Sequence, residues 1–246
     1  MNQNVNEIIE LLEKEAYSDG LLRCADLIDE FKNAFMEQLT VESATDYVGS
    51  VILYSRVCAA IKKPWMVFPK LQAAEGALRF LSDFMTDRDT LADSYLSFAE
   101  SYAYGNYIPE AVRSYMEAAR FFETDEKAVE AAYSGFFYQV RFGKSLKADF
   151  SFVEERFGKE AVRGLKNDAK KDAEQQILVD PIEASDDFLQ CRFEMEEMTD
   201  RTISETDNKD TPFFELYWTT KKDVLKKHFG IEWKTPAEMN PNIRFY

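Results

Sequence analysis

Apolar residues recur every three or four positions over most of the chain. This spacing places them on one face of an α-helix. Residues 21–35 show it clearly, with Leu21, Cys24, Ile28, Phe31 and Phe35 in one series. Similar series run over 5–16, 71–84 and 182–204, and Pro64 and Gly230 are predicted to end helices because proline and glycine interrupt them. The pattern predicts an all-α protein of eight or nine helices.

A second regularity has a period of 37 residues, which separates Ala74, Ala111 and Ala148. Four residues after each alanine lies a large apolar side chain, namely Leu78, Tyr115 and Phe152. The helix that precedes each of these alanines carries an aromatic residue followed by apolar or small residues. The three sets are Tyr54, Val57, Cys58 and Ile61; Tyr95, Phe98, Ala99 and Tyr102; and Tyr133, Phe136, Phe137 and Val140. Two helices per repeated unit predict stacked helical hairpins, that is, a solenoid.

The middle unit resembles the tetratricopeptide repeat, whose consensus is W-x2-L-G-x2-Y followed by A-x3-F and another small residue. The first set of positions holds Tyr95, Phe98, Ala99 and Tyr102, and the second holds Ala111, Tyr115 and Ala118. Gly105 and Tyr107 each come one residue earlier than in the consensus, and the closing proline is absent. The resemblance covers roughly 45–157. It implies antiparallel hairpins in a short right-handed solenoid with extra terminal helices, whose concave face binds peptides.

The net charge of −15 argues against a basic partner surface of the kind that nucleic acids and anionic membranes need. No stretch approaches 18 apolar residues, so no membrane-spanning helix is predicted. Three widely spaced cysteines and a single histidine predict neither a disulfide framework nor a metal site. We therefore interpret the chain as a reduced, cytoplasmic protein, and we expect no cofactor.

Four residues are candidates for binding a peptide. Tyr104 and Tyr107 lie near the predicted loop between two helices, where their rings could line a groove. Arg113 and Arg120 are seven positions apart on one helix and could together hold a carboxylate or a phosphate; the alternative is an ordinary solvated face. The only histidine, His228, stands among lysines at a helix end, which favours a structural role. No phosphate-binding loop motif is present, and we do not expect an enzyme.

The sequence predicts two regions, a helical domain over 1–204 and a C-terminal helix with an extended tail over 211–246. The tail is apolar, and Trp233, Met239 and Phe245 are its predicted anchors on the body, either in the groove or against the last helix. The resulting hypothesis is a non-catalytic scaffold for a protein or peptide, with a homodimer as a further option. The alternative is a helical enzyme or small-ligand sensor with a buried pocket.

Overall fold

The computed structural model describes residues 3–142, 150–206 and 211–245, and within them every regular element is a helix. The all-α prediction is confirmed. The described residues form twelve α-helices and two 3-10 helices, more than the eight or nine predicted, because several of them are short. The α-helices are α1 (Gln3–Glu13), α2 (Tyr17–Glu37), α3 (Val41–Ala60), α4 (Phe68–Phe84), α5 (Arg88–Tyr104), α6 (Ile108–Phe121), α7 (Asp125–Phe142), α8 (Ser151–Phe157), α9 (Lys159–Glu174), α10 (Asp186–Ser204), α11 (Phe213–Phe229) and α12 (Pro236–Met239). The 3-10 helices are Pro64–Val67 and Pro181–Ala184.

Local sequence signals fix several of these boundaries. Thr40 caps α3 in a capping box, accepting a hydrogen bond from the backbone N–H of Ser43 while Ser43 accepts one from Thr40. Gly230 follows α11 with a φ of 67°, a left-handed conformation that glycine adopts without steric cost. Gly230 stands where the sequence predicts a helix end.

The described residues divide into two compact units. The first lies within Met1–Gln139 and Leu146–Lys170, and the second within Val140–Ser145 and Lys171–Tyr246. Helices α10 and α11, which flank residues 207–210, belong to the same unit and pack against each other. The contacts therefore divide the chain at a different place from the predicted boundary between residues 204 and 211.

In the first unit, consecutive helices pack in pairs, and the contact between α5 and α6 is the most extensive. The connection between these two helices is only three residues long, so they run antiparallel. Of the residues predicted to pack within the repeats, most are buried, and Tyr133 and Phe152 are partly buried against the same core. The buried ones are Ala74, Leu78, Tyr95, Phe98, Ala99, Tyr102, Ala111, Tyr115, Ala118 and Phe136. Ala148 lies outside the described residues.

Tyr107 belongs to this core as well, which corrects its interpretation as a free loop side chain. Its side chain is 1% exposed, its ring stacks on Phe68 at 3.9 Å between centroids, and its hydroxyl donates to the Trp65 carbonyl at 3.1 Å. Gly105 makes room for the ring, since a Cβ there would come within 2.9 Å of it. The turn between α5 and α6 is thereby fixed onto the first 3-10 helix.

Arg156 of α8 braces the connection between α6 and α7. Its guanidinium donates to the carbonyls of Ala119, Phe122 and Glu123, the closest at 2.7 Å, and forms an ion pair with Asp125 at 2.9 Å. The carbonyls at the end of α6 have no partner within their own helix. One side chain thus satisfies the end of α6 and fastens α8 to it.

The second unit is organised around a buried ammonium group. The Lys221 Nζ lies 2.9 Å from Glu196, and the rings of Phe188, Tyr217 and Trp233 surround it at 5.3–5.8 Å. Burial opposes the charge of Lys221, but Glu196, Tyr217 and Glu183 together outweigh that penalty and raise the lysine pKa above its ordinary value. The group therefore stays charged inside an aromatic cage.

The C-terminal segment packs on this cage. Trp233 is 3% exposed, and its indole N–H donates to Glu183 at 2.8 Å. Further along, Asn240 exchanges two hydrogen bonds with the backbone of Leu178, and the half-buried Phe245 meets Trp218 edge to face at 5.0 Å. Met239 is half-buried. Trp233 and Phe245 thus contact other residues of the second unit, as predicted for tail anchors.

We expect Trp233→Ala to destabilise the second unit by about 3 to 5 kcal/mol, because it leaves a cavity and removes one wall of the cage around Lys221. Ile243→Ala is the matched control in the same segment. Its side chain is 46% exposed, and the change should stay within about 0.5 kcal/mol. Urea denaturation of the full chain, followed by circular dichroism, measures both. Equal midpoints for the two variants would contradict this packing.

We expect Cys24 and Cys58 to resist alkylation by iodoacetamide in the native protein at pH 8.5. Both thiols are fully buried, and burial raises the pKa of each to about 12, whereas the thiolate is the reacting form. Since the unfolded pKa is lower, their contribution to stability is complete below it and declines as the pH rises towards 12. Mass spectrometry of labelled peptides, with and without urea, tests this; rapid native labelling of either thiol would refute it.

Candidate functional site

Two recessed surfaces in the first unit are large enough to hold a ligand. The larger is a cleft of about 450 Å³ between α4, α5 and α6. We call it the four-charge cleft, after Glu75 and Arg79 of α4 and Arg113 and Glu117 of α6. Its other lining residues are the apolar Leu78, Phe98 and Met116 and the hydroxyl-bearing Ser82, Tyr95 and Ser114.

The four charges alternate in sign around the cleft. On each helix the acid and the base are four positions apart, so both project from the same face. The order is opposite on the two helices. The charges of Glu75 and Arg113 both influence the pKa of Tyr102, and those of Glu117, Arg79 and Glu75 all influence the pKa of Tyr95. Among the described residues, no ion pair within 4.0 Å joins Glu75 to Arg113 or Arg79 to Glu117.

Tyr102 holds Glu75 in place at one end of this cleft. The tyrosine is fully buried, and its hydroxyl donates to Glu75 Oε1 at 3.0 Å. Burial, and next the charge of Glu75, raise the pKa of Tyr102 above its ordinary value. The hydroxyl therefore remains a donor throughout the physiological pH range and orients the carboxylate.

The second surface consists of two smaller clefts that share Glu100, and we call it the Glu100 groove. The cleft between α3 and α5 has a volume of about 210 Å³, and the cleft between α5 and α7 about 250 Å³. The charged and aromatic residues along the groove are Arg56, Asp93, Glu100, Tyr104, Tyr115, Phe122, Lys127 and Glu130. Three successive odd-numbered helices thus contribute to one surface.

Serine hydroxyls form a polar strip within the Glu100 groove. The Ser101 hydroxyl lies 2.8 Å from the Ser55 hydroxyl and 2.7 Å from the Ser97 carbonyl, so it links α3 to α5. At the other end, Lys127 lies 3.7 Å from Asp93. Glu100 has neither a hydrogen bond nor an ion pair among the described residues, although its charge contributes to raising the pKa of Tyr115, after burial and Tyr138.

The structure separates the four residues predicted to bind a peptide. Tyr104 is 60% exposed and lines the Glu100 groove, whereas Arg113 lines the four-charge cleft. Arg120 lines neither surface; it lies 3.6 Å from Glu117 and packs over the Phe152 ring at 4.9 Å. With Tyr107 buried, the four residues do not form one site.

Sequence reasoning missed several residues that line these surfaces. The four-residue spacing of Glu75 and Arg79 was a usable signal, but such pairs also decorate ordinary solvated helices. Glu100 had no signal of its own. Its position becomes distinctive only because α3 and α7 lie on either side of α5.

The described ranges contain no cluster of three or more histidine, cysteine, aspartate or glutamate side chains able to hold a metal ion. None of their helices is both long and apolar enough to cross a bilayer. No protein-family model matches the chain, and neither the comparison with curated proteins nor the comparison with solved structures finds a significant match. The geometry of the two surfaces is therefore the basis for a functional assignment.

We expect Tyr102→Phe to lower the free energy of unfolding by about 1 kcal/mol, because it removes the hydrogen bond to Glu75 at the cleft edge. Tyr104→Phe is the control, since it deletes the same atom from an exposed ring on the same helix and should leave stability unchanged. Urea denaturation compares the two variants with the parent. A loss of equal size in both variants would show that the Tyr102–Glu75 hydrogen bond does not contribute to the free energy of unfolding.

Proposed function

We propose that the protein is a non-catalytic scaffold that binds a peptide or protein segment along the Glu100 groove. In this proposal α3/α4 and α5/α6 are tetratricopeptide-like hairpins, arranged with α7 in a short right-handed solenoid. The first helix of each hairpin then lines the concave face, which is where such repeats hold extended peptides. The supporting observation is that the groove is lined by α3, α5 and α7, the first helices of successive units.

The size of the groove favours an extended chain. Each of its two clefts is smaller than the roughly 300–1,000 Å³ that encloses a compact ligand. Two shallow clefts separated by Glu100 suit two side chains of one extended segment, with its backbone crossing α5 between them. The hydroxyls of Ser97 and Ser101 already donate to helix carbonyls, and their oxygens can accept hydrogen bonds from the N–H groups of that backbone.

The charge of Glu100 favours a basic side chain in the bound segment. Glu100 stands at the centre with no ion pair of its own, while Lys127 is already engaged with Asp93. A basic side chain of the bound segment opposite Glu100 would gain a charge-assisted hydrogen bond. We therefore propose a partner segment that carries a lysine or arginine between two apolar residues.

We expect peptides selected by display on the purified protein to carry this pattern and to shift the amide NMR signals of α3, α5 and α7. Glu100→Arg should weaken their binding by about tenfold or more, because it places like charges opposite each other. Glu126→Arg, an exposed change on α7 outside the groove, is the control with the same change of charge and should leave affinity unaltered.

Two results would contradict the proposal. If the selected peptides shift NMR signals outside α3, α5 and α7, they bind at a different surface. If the Glu100→Arg variant binds as tightly as the parent, Glu100 does not take part in binding. Circular dichroism of both variants ensures that a loss of binding is not a loss of fold.

A further inference from the structure

We propose that the four-charge cleft is a second, separate binding site, for a zwitterionic ligand with an apolar body. The chemical class is an apolar α-amino acid or a short apolar peptide with both termini free. This site does not depend on the Glu100 groove, since the cleft is built from α4, α5 and α6 and shares none of its lining residues with that groove.

The size of the cleft fits such a ligand. Its volume of about 450 Å³ falls within the range of small-molecule sites. Leu78, Phe98 and Met116 supply an apolar floor, and Ser82 and Ser114 supply hydroxyls at its edge. A few polar groups around an apolar floor are the usual composition of a small-ligand site.

The charges select the ligand. Glu75 and Arg113 bear opposite charges in the cleft without forming an ion pair. The other two charges are engaged: Glu117 lies 3.6 Å from Arg120, and Arg79 donates to the backbone carbonyl of Glu75. A purely anionic ligand would be repelled by the acids, and a purely cationic one by the arginines. A zwitterion presents both signs and is attracted by both, so its two charges can complete the pairing that the protein leaves open.

The guanidinium of Arg113 is the group best placed to receive the ligand's carboxylate. Among the described residues Arg113 makes no hydrogen bond and no ion pair, and the planar guanidinium fork can grip a carboxylate through two hydrogen bonds. Arg79, in contrast, already donates to the backbone carbonyl of Glu75, at 3.4 Å. The ligand's carboxylate therefore belongs at the Arg113 end.

Glu75 is the corresponding acceptor for the ligand's ammonium group. Tyr102 occupies only one of its two oxygens, at 3.0 Å, which holds the carboxylate in position and leaves the second oxygen available. Since Glu75 and Arg113 both line the cleft, an α-amino acid bound there can pair with both while its side chain lies over the apolar floor.

Amide NMR titration of the full chain with L-leucine and with the dipeptide leucyl-leucine tests the proposal. We expect at least one of them to shift signals of α4, α5 and α6. N-acetyl-leucine, which lacks the ammonium group, and leucinamide, which lacks the carboxylate, should each bind about tenfold more weakly than leucine. Binding of the dipeptide alone would identify a peptide as the ligand, and preference for leucine a free amino acid.

Arg113→Gln should reduce the affinity of the zwitterion by about tenfold or more, because the carboxylate loses its bidentate partner. Arg56→Gln removes the same charge from the Glu100 groove and should have no effect. The absence of shifts in the cleft at millimolar ligand, equal binding of the blocked analogues, or full affinity in Arg113→Gln would each overturn the proposal. Display-selected peptides that still bind Arg113→Gln would show that the groove is a different site.

Discussion

The close approach of α5 to α6 is the constraint on which the first unit depends. Ala99 on α5 and Ala111 and Ala118 on α6 are fully buried, and their small side chains let the two backbones approach closely. Large rings fill the space beside the crossing, which is why the buried Tyr102 stands among alanines. A larger residue at any of these alanines would separate the helices and misplace every side chain that α5 supplies to the two surfaces.

Helix α5 is the element common to both surfaces, and the helical period explains how one helix serves two. Ser97, Glu100 and Tyr104 face α3 and α7 and line the Glu100 groove, while Tyr95 and Phe98 face α4 and α6. Neither surface is an addition to the fold. Each is lined by α5 together with its neighbouring helices, so the packing that stabilises the unit also positions the charges.

The all-α class and the burial of one face of each helix could be predicted because they depend on spacings within single helices. Ala111 and Tyr115, or Tyr95 and Phe98, are a few residues apart, and a local pattern reveals them. Tyr107 could not be assigned in this way, since its partners Trp65 and Phe68 lie some 40 residues earlier in the chain and only the tertiary structure brings them together. Lys221 was missed for the same reason: the partners that make a buried ammonium tolerable come from α10 and the C-terminal segment.

Buried and exposed charges in this protein have different energetic consequences. The buried charge of Lys221 matters for stability, whereas the charges at the rim of the four-charge cleft are available for binding. The ammonium of Lys221 is buried, and removing Glu196 would leave an uncompensated charge, which is strongly destabilising. The charges around the four-charge cleft are at its rim, where an exposed ion pair contributes little to stability. Holding Glu75 apart from Arg113 therefore costs the fold almost nothing, and folding stability does not require the arrangement. An open pair of opposite charges above an apolar floor, such as Glu75 and Arg113, gains most of its free energy when a ligand completes it.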